Sequence, residues 1–442
     1  VTTERPALLD VAVASAGLAI CTNGPVLFLT RRVLDRSGYW EDGIVRAFLV
    51  AVGVLGAVML ADTARRWRRN GRALRAMAPW PVAAIALLSG WALLSTWWSV
   101  APGITAQRAL IYVGLALFAW WLALLPFERQ VVGVALAMGA TSAASGLVLW
   151  LRRPVGVMDL TGDWQGIFTN RNSLAATSAL GLLAIIGVAA RWRRRPPVVV
   201  GCLAVGGLQV VLLRGSGSDT SKWALLGALV LTAALIPAVT VARRRVHPLL
   251  AASVAVAVTT VAVVGVVQSL DRLGPRLGSD SLLTSRRPIW AWTRDAIAVH
   301  PVRGYGFFAY WDTPAALETS IQQLGRAYGS AHNSWLEMML GLGVVGLALY
   351  VVVVLAALTG HARAVWERST VARWWWVAAL LLLLLENQTE SFVLWFSYNY
   401  VLVLAAAIVP WLTTTVGDAM ATDVAGGPPG GAPDRPPAAA AR

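Results

Sequence analysis

Four histidines, two cysteines and a large excess of arginine carry most of the chemistry open to this chain. His247, His300, His332 and His361 are scattered, and no HxxE, HExxH or CxxC spacing pairs them with other ligands, so neither a metal nor another cofactor is expected. His332 differs from the other three. It stands in AHNSWLEMML, just ahead of an apolar run. There the end of a helix dipole disfavours an imidazolium and leaves a neutral ring able to accept a proton. The same terminus attracts phosphate. Ser334 followed by Glu337 fits a capping box, which gives Glu337 a structural use beside a catalytic one. Upstream, Arg272, Arg276, Arg286, Arg287, Arg294, Arg303 and Arg326 crowd one polar stretch. A guanidinium grips phosphate through a planar fork, so a phosphorylated lipid headgroup is the natural partner. The plainer alternative is arginine snorkelling to lipid phosphates without specificity.

Other polar groups gather in three short segments. GIFTNRNSLA holds Asn170, Arg171 and Asn172 at a helix start, with Asn172 or Ser173 as the expected N-cap, and Asp159 and Asp163 lie before it. RGSGSDTSKWALL offers Arg214, Asp219 and Lys222, but lacks the GK[ST] ending of a phosphate-binding loop. ENQTES places Glu386, Asn387, Gln388 and Glu390 together. Ionisable groups at membrane depth are costly and mark function; if the preceding span stops at Leu385, these are a wet turn instead.

The elements that must hold these residues are membrane helices. Hydrophobic residues make up 57% of the 442 and charged residues 13%, at a mean hydropathy of +0.64, where a soluble domain carries roughly 25% charged residues. Apolar blocks near 8–30, 43–63, 79–99, 104–125, 130–151, 173–190, 197–213, 221–241, 248–268, 333–359, 373–385 and 391–412 are each read as a span, the eleventh short. The expectation is an all-α polytopic membrane protein with about 12 transmembrane helices. Nine spans would lie in 1–268 and three in 333–412, separated by one long extracytoplasmic loop, 269–332, that carries short interfacial helices. Residues 413–442 read as a cytoplasmic tail, disordered from the Gly/Pro-rich segment at Gly426 onward.

The net charge of +15 comes from arginines and the single lysine, Lys222, and it falls in alternate loops rather than on one face. That pattern sets orientation with both termini cytoplasmic, and it argues against nucleic acid as a partner. No cleavable signal segment is evident at the start. Cys21 and Cys202 fall inside apolar blocks and read as buried thiols. Most of the 22 tryptophans read as interface belt and packing, leaving Trp164, Trp290, Trp292 and Trp311 as sugar-stacking candidates. Within the long loop, SRRPIWAWTRDAIAVHP is a short helix. Pro288 sits in its first turn, Ile289, Trp292, Ala296 and Ile297 share one apolar face, and His300-Pro301 end it before the turn glycines Gly304 and Gly306. It reads as an interfacial helix holding Arg286 and Arg287 at headgroup depth.

Taken in order across about 300 residues, LSTWWSVAPGITAQRAL, GIFTNRNSLA, GSGSDTSKWALL, SRRPIW…HPVRGYGF, AHNSWLEMMLGLGVVG and NQTES make the chain resemble the O-antigen ligase and polymerase superfamily of bacterial envelope enzymes, with the ligase-like domain at roughly 170–400. The resemblance implies a GT-C-like glycosyltransferase of the bacterial cytoplasmic (inner) membrane, working at its outer face without metal. It implies a donor glycan on undecaprenyl pyrophosphate and a glycan, lipid or protein acceptor. The family's loop histidine falls on His332, as base on the acceptor hydroxyl. Its R-x-x-I-W arginine falls on Arg286, beside Arg287, for the pyrophosphate. A second family arginine meets Lys222 or Asp219 here, so Arg214 or Arg171 would stand in for it. Asn333, Glu337 and Glu390 are supporting candidates. Three readings compete with ligation. One is a polymerase of the same superfamily. A second is a GT-C enzyme using a polyprenyl-monophosphate sugar, with Asp42 as base and Asp35 and Glu41 nearby. The third is a transporter, to which the interrupted first span at Asn23, Gly24 and Pro25 lends slight support.

Overall fold

The computed structural model describes residues 7–25, 54–65, 79–152, 154–158, 162–243, 286–324, 328–392 and 397–425. Among them the only strand-like pairing is an isolated bridge between Val157 and Trp164. Everything else of length is helix, as a chain in hydrocarbon requires, because each backbone N–H and C=O then finds its partner within its own segment. In chain order these are α1 (Ala7–Cys21), α2 (54–65), α3 (Pro79–Leu94), α4 (Pro102–Ala123), α5 (Phe127–Trp150), α6 (Arg171–Arg191) and α7 (Pro196–Gly215). They continue as α8 (Asp219–Ala242), α9 (Arg287–Val299), α10 (Pro314–Leu324), α11 (Ser334–Glu367), α12 (Val371–Glu386) and α13 (Tyr398–Ala425).

Among the described residues, seven helices are long and apolar enough to cross a membrane: Trp80–Trp98, Pro102–Ala123, Phe127–Trp150, Arg171–Arg191, Pro196–Gly215, Asp219–Ala242 and Ser334–Glu367. Leu8–Cys21 and Tyr398–Leu412 are apolar but shorter, and α12 has 16 residues. The protein is therefore an all-α, multi-pass membrane protein. Of the twelve expected spans, 248–268 lies outside the described residues. The first is interrupted after Cys21, where Asn23 takes a left-handed φ of 62°, helix resumes at Gly24 and Pro25, and 26–30 lie outside the described residues. The last helix runs on to Ala425, and 426–442 lie outside the described residues.

α12 explains how the bundle is organised. Its sequence, VARWWWVAALLLLLLE, is apolar on every face, and such a helix must be surrounded by others. It packs against α8, α6, α11 and α13. Trp374, Trp375, Trp376 and every residue from Ala378 to Glu386 are buried. The indole N–H groups find acceptors there: Trp375 donates to the Leu183 carbonyl (2.9 Å) and Trp376 to Gln130 Oε1 (3.1 Å). A central helix carries its C-terminal turn into the protein interior. Asn387, Thr389 and Glu390 are accordingly buried. This overturns the wet-turn alternative for ENQTES, since the span ends at Glu386 yet the turn beyond it stays out of water.

α11 is broken. Gly343 has φ 66° and ψ −169°, which interrupts the ladder nine residues after Ser334. The loop after α9 fills the break. The N–H groups of Tyr305 and Gly306 donate to the carbonyls of Leu340 and Gly341 (both 3.0 Å), and Val344 N–H donates to Pro301 (2.8 Å). Trp91 Nε1 takes the Leu342 carbonyl (3.0 Å). The approach requires glycine on both sides: a Cβ on Gly343 would lie 2.0 Å from the Val302 oxygen, and one on Gly304 would lie 2.5 Å from the Gly341 carbonyl carbon. The expected tight turn at Gly304 and Gly306 is present, both at positive φ.

α9 forms where the sequence places it, with Pro288 in its first turn. Its apolar stripe has a different destination from the membrane surface. Ile289, Ala296 and Ile297 pack with Trp311, Ala331 and Leu340, so the stripe is covered by protein. The interfacial-helix expectation is corrected accordingly.

Candidate functional site

Asn333 starts the first half of α11. Its Oδ1 accepts from the N–H groups of Trp335 (3.0 Å) and Leu336 (3.1 Å), making it the N-cap. The capping box expected from Ser334 and Glu337 does not form. Ser334 Oγ donates instead to Asn387 Oδ1 (2.7 Å), and its N–H donates to the Asn387 carbonyl (3.1 Å). Asn333 Nδ2 reaches the Gln388 carbonyl (2.9 Å), and its N–H reaches Ser391 Oγ (3.1 Å). The start of α11 and the turn after α12 are thus laced together. His332, immediately before the cap, has φ 50°, a left-handed turn of the backbone.

That lacing brings His332 to Glu390, with Nδ1 at 3.1 Å from Oε2. The other carboxylate oxygen is held by Arg286, as an ion pair, and by Asn172 Nδ2 at 2.6 Å. The His332 side chain is 34% exposed and the Glu390 side chain 5%, so the ring is reachable from outside while the carboxylate is sealed behind it. Burial pushes the Glu390 carboxyl upward. The charges of His332 and Arg286 and the hydrogen bonds they make outweigh that effect and hold it below the ordinary glutamate range.

Four segments far apart in sequence therefore meet on one carboxylate: the starts of α6, α9 and α11 and the turn after α12. Of the expected site residues, His332, Arg286 and Glu390 are joined directly and Asn333 fixes the turn. Glu337 lies behind the site, 3% exposed, accepting from Trp311 Nε1 (3.0 Å), the Ala331 N–H and Ser391 Oγ (3.3 Å). Arg171 pairs with Asp163 and Lys222 with Asp219 (3.3 Å). Arg214 is exposed at the end of α7 and Arg287 at the start of α9. The turn after Arg214 docks against the Asp163–Trp164 loop, where Trp164 N–H donates to the Gly215 carbonyl (3.0 Å). Arg171 adjoins Asn172 in the chain, and the ion pairs made by Arg171 and Lys222 lie outside the cluster. Asp35, Glu41, Asp42, Arg272, Arg276 and Arg326 lie outside the described residues.

Sequence reasoning missed two contributors. Asn172 was expected to cap α6. Asn170 does that, accepting from Ser173 N–H (2.9 Å), which leaves the Asn172 amide for Glu390. The doubled asparagine in TNRNS was the available signal, since one helix needs one cap. Arg108 on α4 reaches across to the outer loop, binding the Phe308 carbonyl and Asp312. The tryptophans prove less open than expected. Trp311 is 5% exposed, Trp290 Nε1 is tied to the Ala331 carbonyl (2.9 Å), and Trp292 packs on Tyr310 and Trp311. Burial pushes the neighbouring Tyr310 hydroxyl up to about 12, so it remains protonated at neutral pH. Among the described residues, no group of three or more His, Cys, Asp or Glu could hold a metal ion.

The exopolysaccharide production protein ExoQ of Rhizobium meliloti (strain 1021) is 24% identical over 285 residues, covering 62% of this chain and 63% of that relative, short of two thirds of its length. Residues 216–351, which contain Arg286 and His332, match the family model described as O-antigen ligase. The chain is thus similar to the O-antigen ligase family over the segment that holds both residues, and to an exopolysaccharide production protein over a longer stretch.

Proposed function

We propose that this protein transfers a glycan from an undecaprenyl-pyrophosphate carrier to an acceptor hydroxyl at the outer face of the bacterial cytoplasmic membrane, with His332 as the general base and both chain termini in the cytoplasm. One observation carries the reading: a half-exposed imidazole and a guanidinium, 46 positions apart in sequence, meet on a single buried carboxylate at the start of α11. In the reaction the acceptor oxygen attacks the anomeric carbon, the bond from that carbon to the pyrophosphate oxygen breaks, and His332 takes the hydroxyl proton. Pyrophosphate leaves readily, so the enzyme needs a base and cationic stabilisation rather than a strong acid. A placed base contributes about 10²–10⁴-fold in rate, and basic groups around the mouth stabilise the charge on the departing phosphate. Arg287, next to Arg286, and Arg171, next to Asn172, are the first candidates for that contact, with Arg214 and Lys222 as further ones.

A second reading has its own support. The ExoQ relative is named for exopolysaccharide production. This favours a polymerase that uses a lipid-linked glycan as acceptor as well as donor.

The test supplies purified protein with undecaprenyl-pyrophosphate glycan and candidate acceptors, and follows carrier release and product length. His332→Ala is expected to lose transfer by about 10²-fold or more. Full activity in that variant overturns the base assignment. A ladder of longer lipid-linked chains identifies a polymerase, and a single transfer to a distinct acceptor identifies a ligase. Sensitivity to a chelator would overturn the metal-free mechanism.

A further inference from the structure

The family resemblance would give Arg286 to the pyrophosphate, but the geometry points to a different division of labour. We infer that Glu390 is the positioning residue of a Glu–His dyad, and that Arg286 and Asn172 serve Glu390 rather than the donor phosphate. The inference rests on the proposed base role of His332 and goes one step behind it.

The two oxygens of Glu390 have separate duties. Oε1 is held by Arg286 and by Asn172 Nδ2 at 2.6 Å. Oε2 faces His332 Nδ1 at 3.1 Å. An ionised carboxylate only accepts hydrogen bonds, so the proton between them belongs to Nδ1. The lone pair then stands on Nε2. Fixing the tautomer turns an ambiguous ring into a base with one defined basic atom, and the anion behind it stabilises the imidazolium once Nε2 has taken the acceptor's proton. The carboxylate must stay ionised for this although it is 4% exposed, and an unpaired buried charge is costly. Arg286 removes that cost. Its side chain is 13% exposed, against an exposed Arg287 next to it, which suits a buried ion pair better than capture of a ligand arriving from outside. Asn172 supplies the second donor to the same oxygen and holds the carboxylate plane.

The backbone makes the dyad rigid. The Glu390 carbonyl accepts from Ser334 Oγ (3.0 Å), and Asn333 N–H is bound by Ser391 Oγ (3.1 Å), so the residues following His332 and those flanking Glu390 are cross-tied. Neither partner can shift far without breaking these bonds.

The test uses the full-length purified protein with the lipid-pyrophosphate glycan, measuring kcat and donor KM separately. Glu390→Gln is expected to lower kcat by about 10²–10⁴-fold, the range a base contributes, with donor KM unchanged. Glu390→Asp should regain part of the rate. Combined with His332→Ala, Glu390→Gln should add no further loss, because it acts only through the ring. An unchanged kcat in Glu390→Gln overturns the dyad and leaves the base assignment standing, since that assignment depends on His332→Ala alone. A raised donor KM at unchanged kcat also overturns it, by making Glu390 a donor-binding group. For Arg286→Gln, a raised donor KM returns that guanidinium to the pyrophosphate and overturns its assignment to Glu390, whereas a loss confined to kcat supports it. Should Glu390→Gln fail to fold because Arg286 is left buried and unpaired, Asn172→Ala, which keeps the ion pair, carries the test. A lower kcat at unchanged KM supports the dyad, and a wild-type kcat counts against it.

Discussion

Glu390 and Glu337 show how differently two buried glutamates can be used within a few ångströms of the same turn. Glu337 is occupied on both oxygens by groups that hold the loop before α11, the Trp311 indole and the Ala331 N–H among them. Its role is architectural, and Glu337→Ala should lower stability by about 1–3 kcal/mol for the donors left unsatisfied, read as a lower thermal midpoint in detergent. Glu390 faces a base and two donors, and its ionisation is linked to folding. Its carboxyl is held below the ordinary range in the folded protein, so the unfolded chain binds the proton more readily. The stabilisation is therefore fully present above the unfolded value of about 4.3 and disappears as pH falls through the lower folded value. Thermal unfolding should show wild type losing, on acidification below that range, an advantage over Glu390→Gln that it holds at neutral pH. A constant difference between the two at every pH would contradict the linkage.

At the scale of elements, the break in α11 ties the turn that carries His332 to the loop after α9. The carbonyls freed at Leu340, Gly341 and Leu342 are taken by Tyr305, Gly306 and Trp91, and no buried acceptor is wasted. α9, which begins beside Arg286, is thus fixed to the same half-helix that begins beside His332. Gly343→Ala should detach this arrangement. Its backbone, at φ 66° and ψ −169°, is open essentially to glycine alone and costs an alanine about 1–3 kcal/mol, and the added Cβ would also meet the Val302 oxygen at 2.0 Å. Faster protease cleavage in the 300–324 segment together with lost transfer is the expected result. An alanine variant with wild-type cleavage and activity would show that the inserted loop does not position the site. Arg108, reaching from α4 to Asp312, braces the same loop from the opposite side.

For the whole molecule, the proposed reaction requires that the site end of the bundle face away from the cytoplasm. With Cys21 and Cys202 replaced, Gly329→Cys should react with a membrane-impermeant maleimide on intact spheroplasts, and Arg193→Cys only after permeabilisation. Both positions are exposed, so the difference reports sidedness rather than burial. Labelling of Gly329→Cys only from the inside would place the site where the proposed carrier glycan is not presented, and the proposed reaction would fall with it.

The alternation of apolar blocks and arginine loops determined by itself that this chain is a bundle of membrane helices, because hydrocarbon admits no other backbone solution here. The sequence also pointed to His332, since a histidine ahead of an apolar helix is a local pattern, whereas Arg286 stood out from the other loop arginines only through the family resemblance of its R-x-x-I-W segment. It did not reveal that both meet on Glu390, nor that Asn172 joins them, nor that α9 turns its apolar stripe inward. Those facts depend on which helix occupies the centre. α12 is apolar on all sides and takes that place, so the turn following it is carried out of water and between the starts of α6, α9 and α11. Side chains hundreds of positions apart acquire their chemistry only from that convergence, which packing decides and local sequence does not encode.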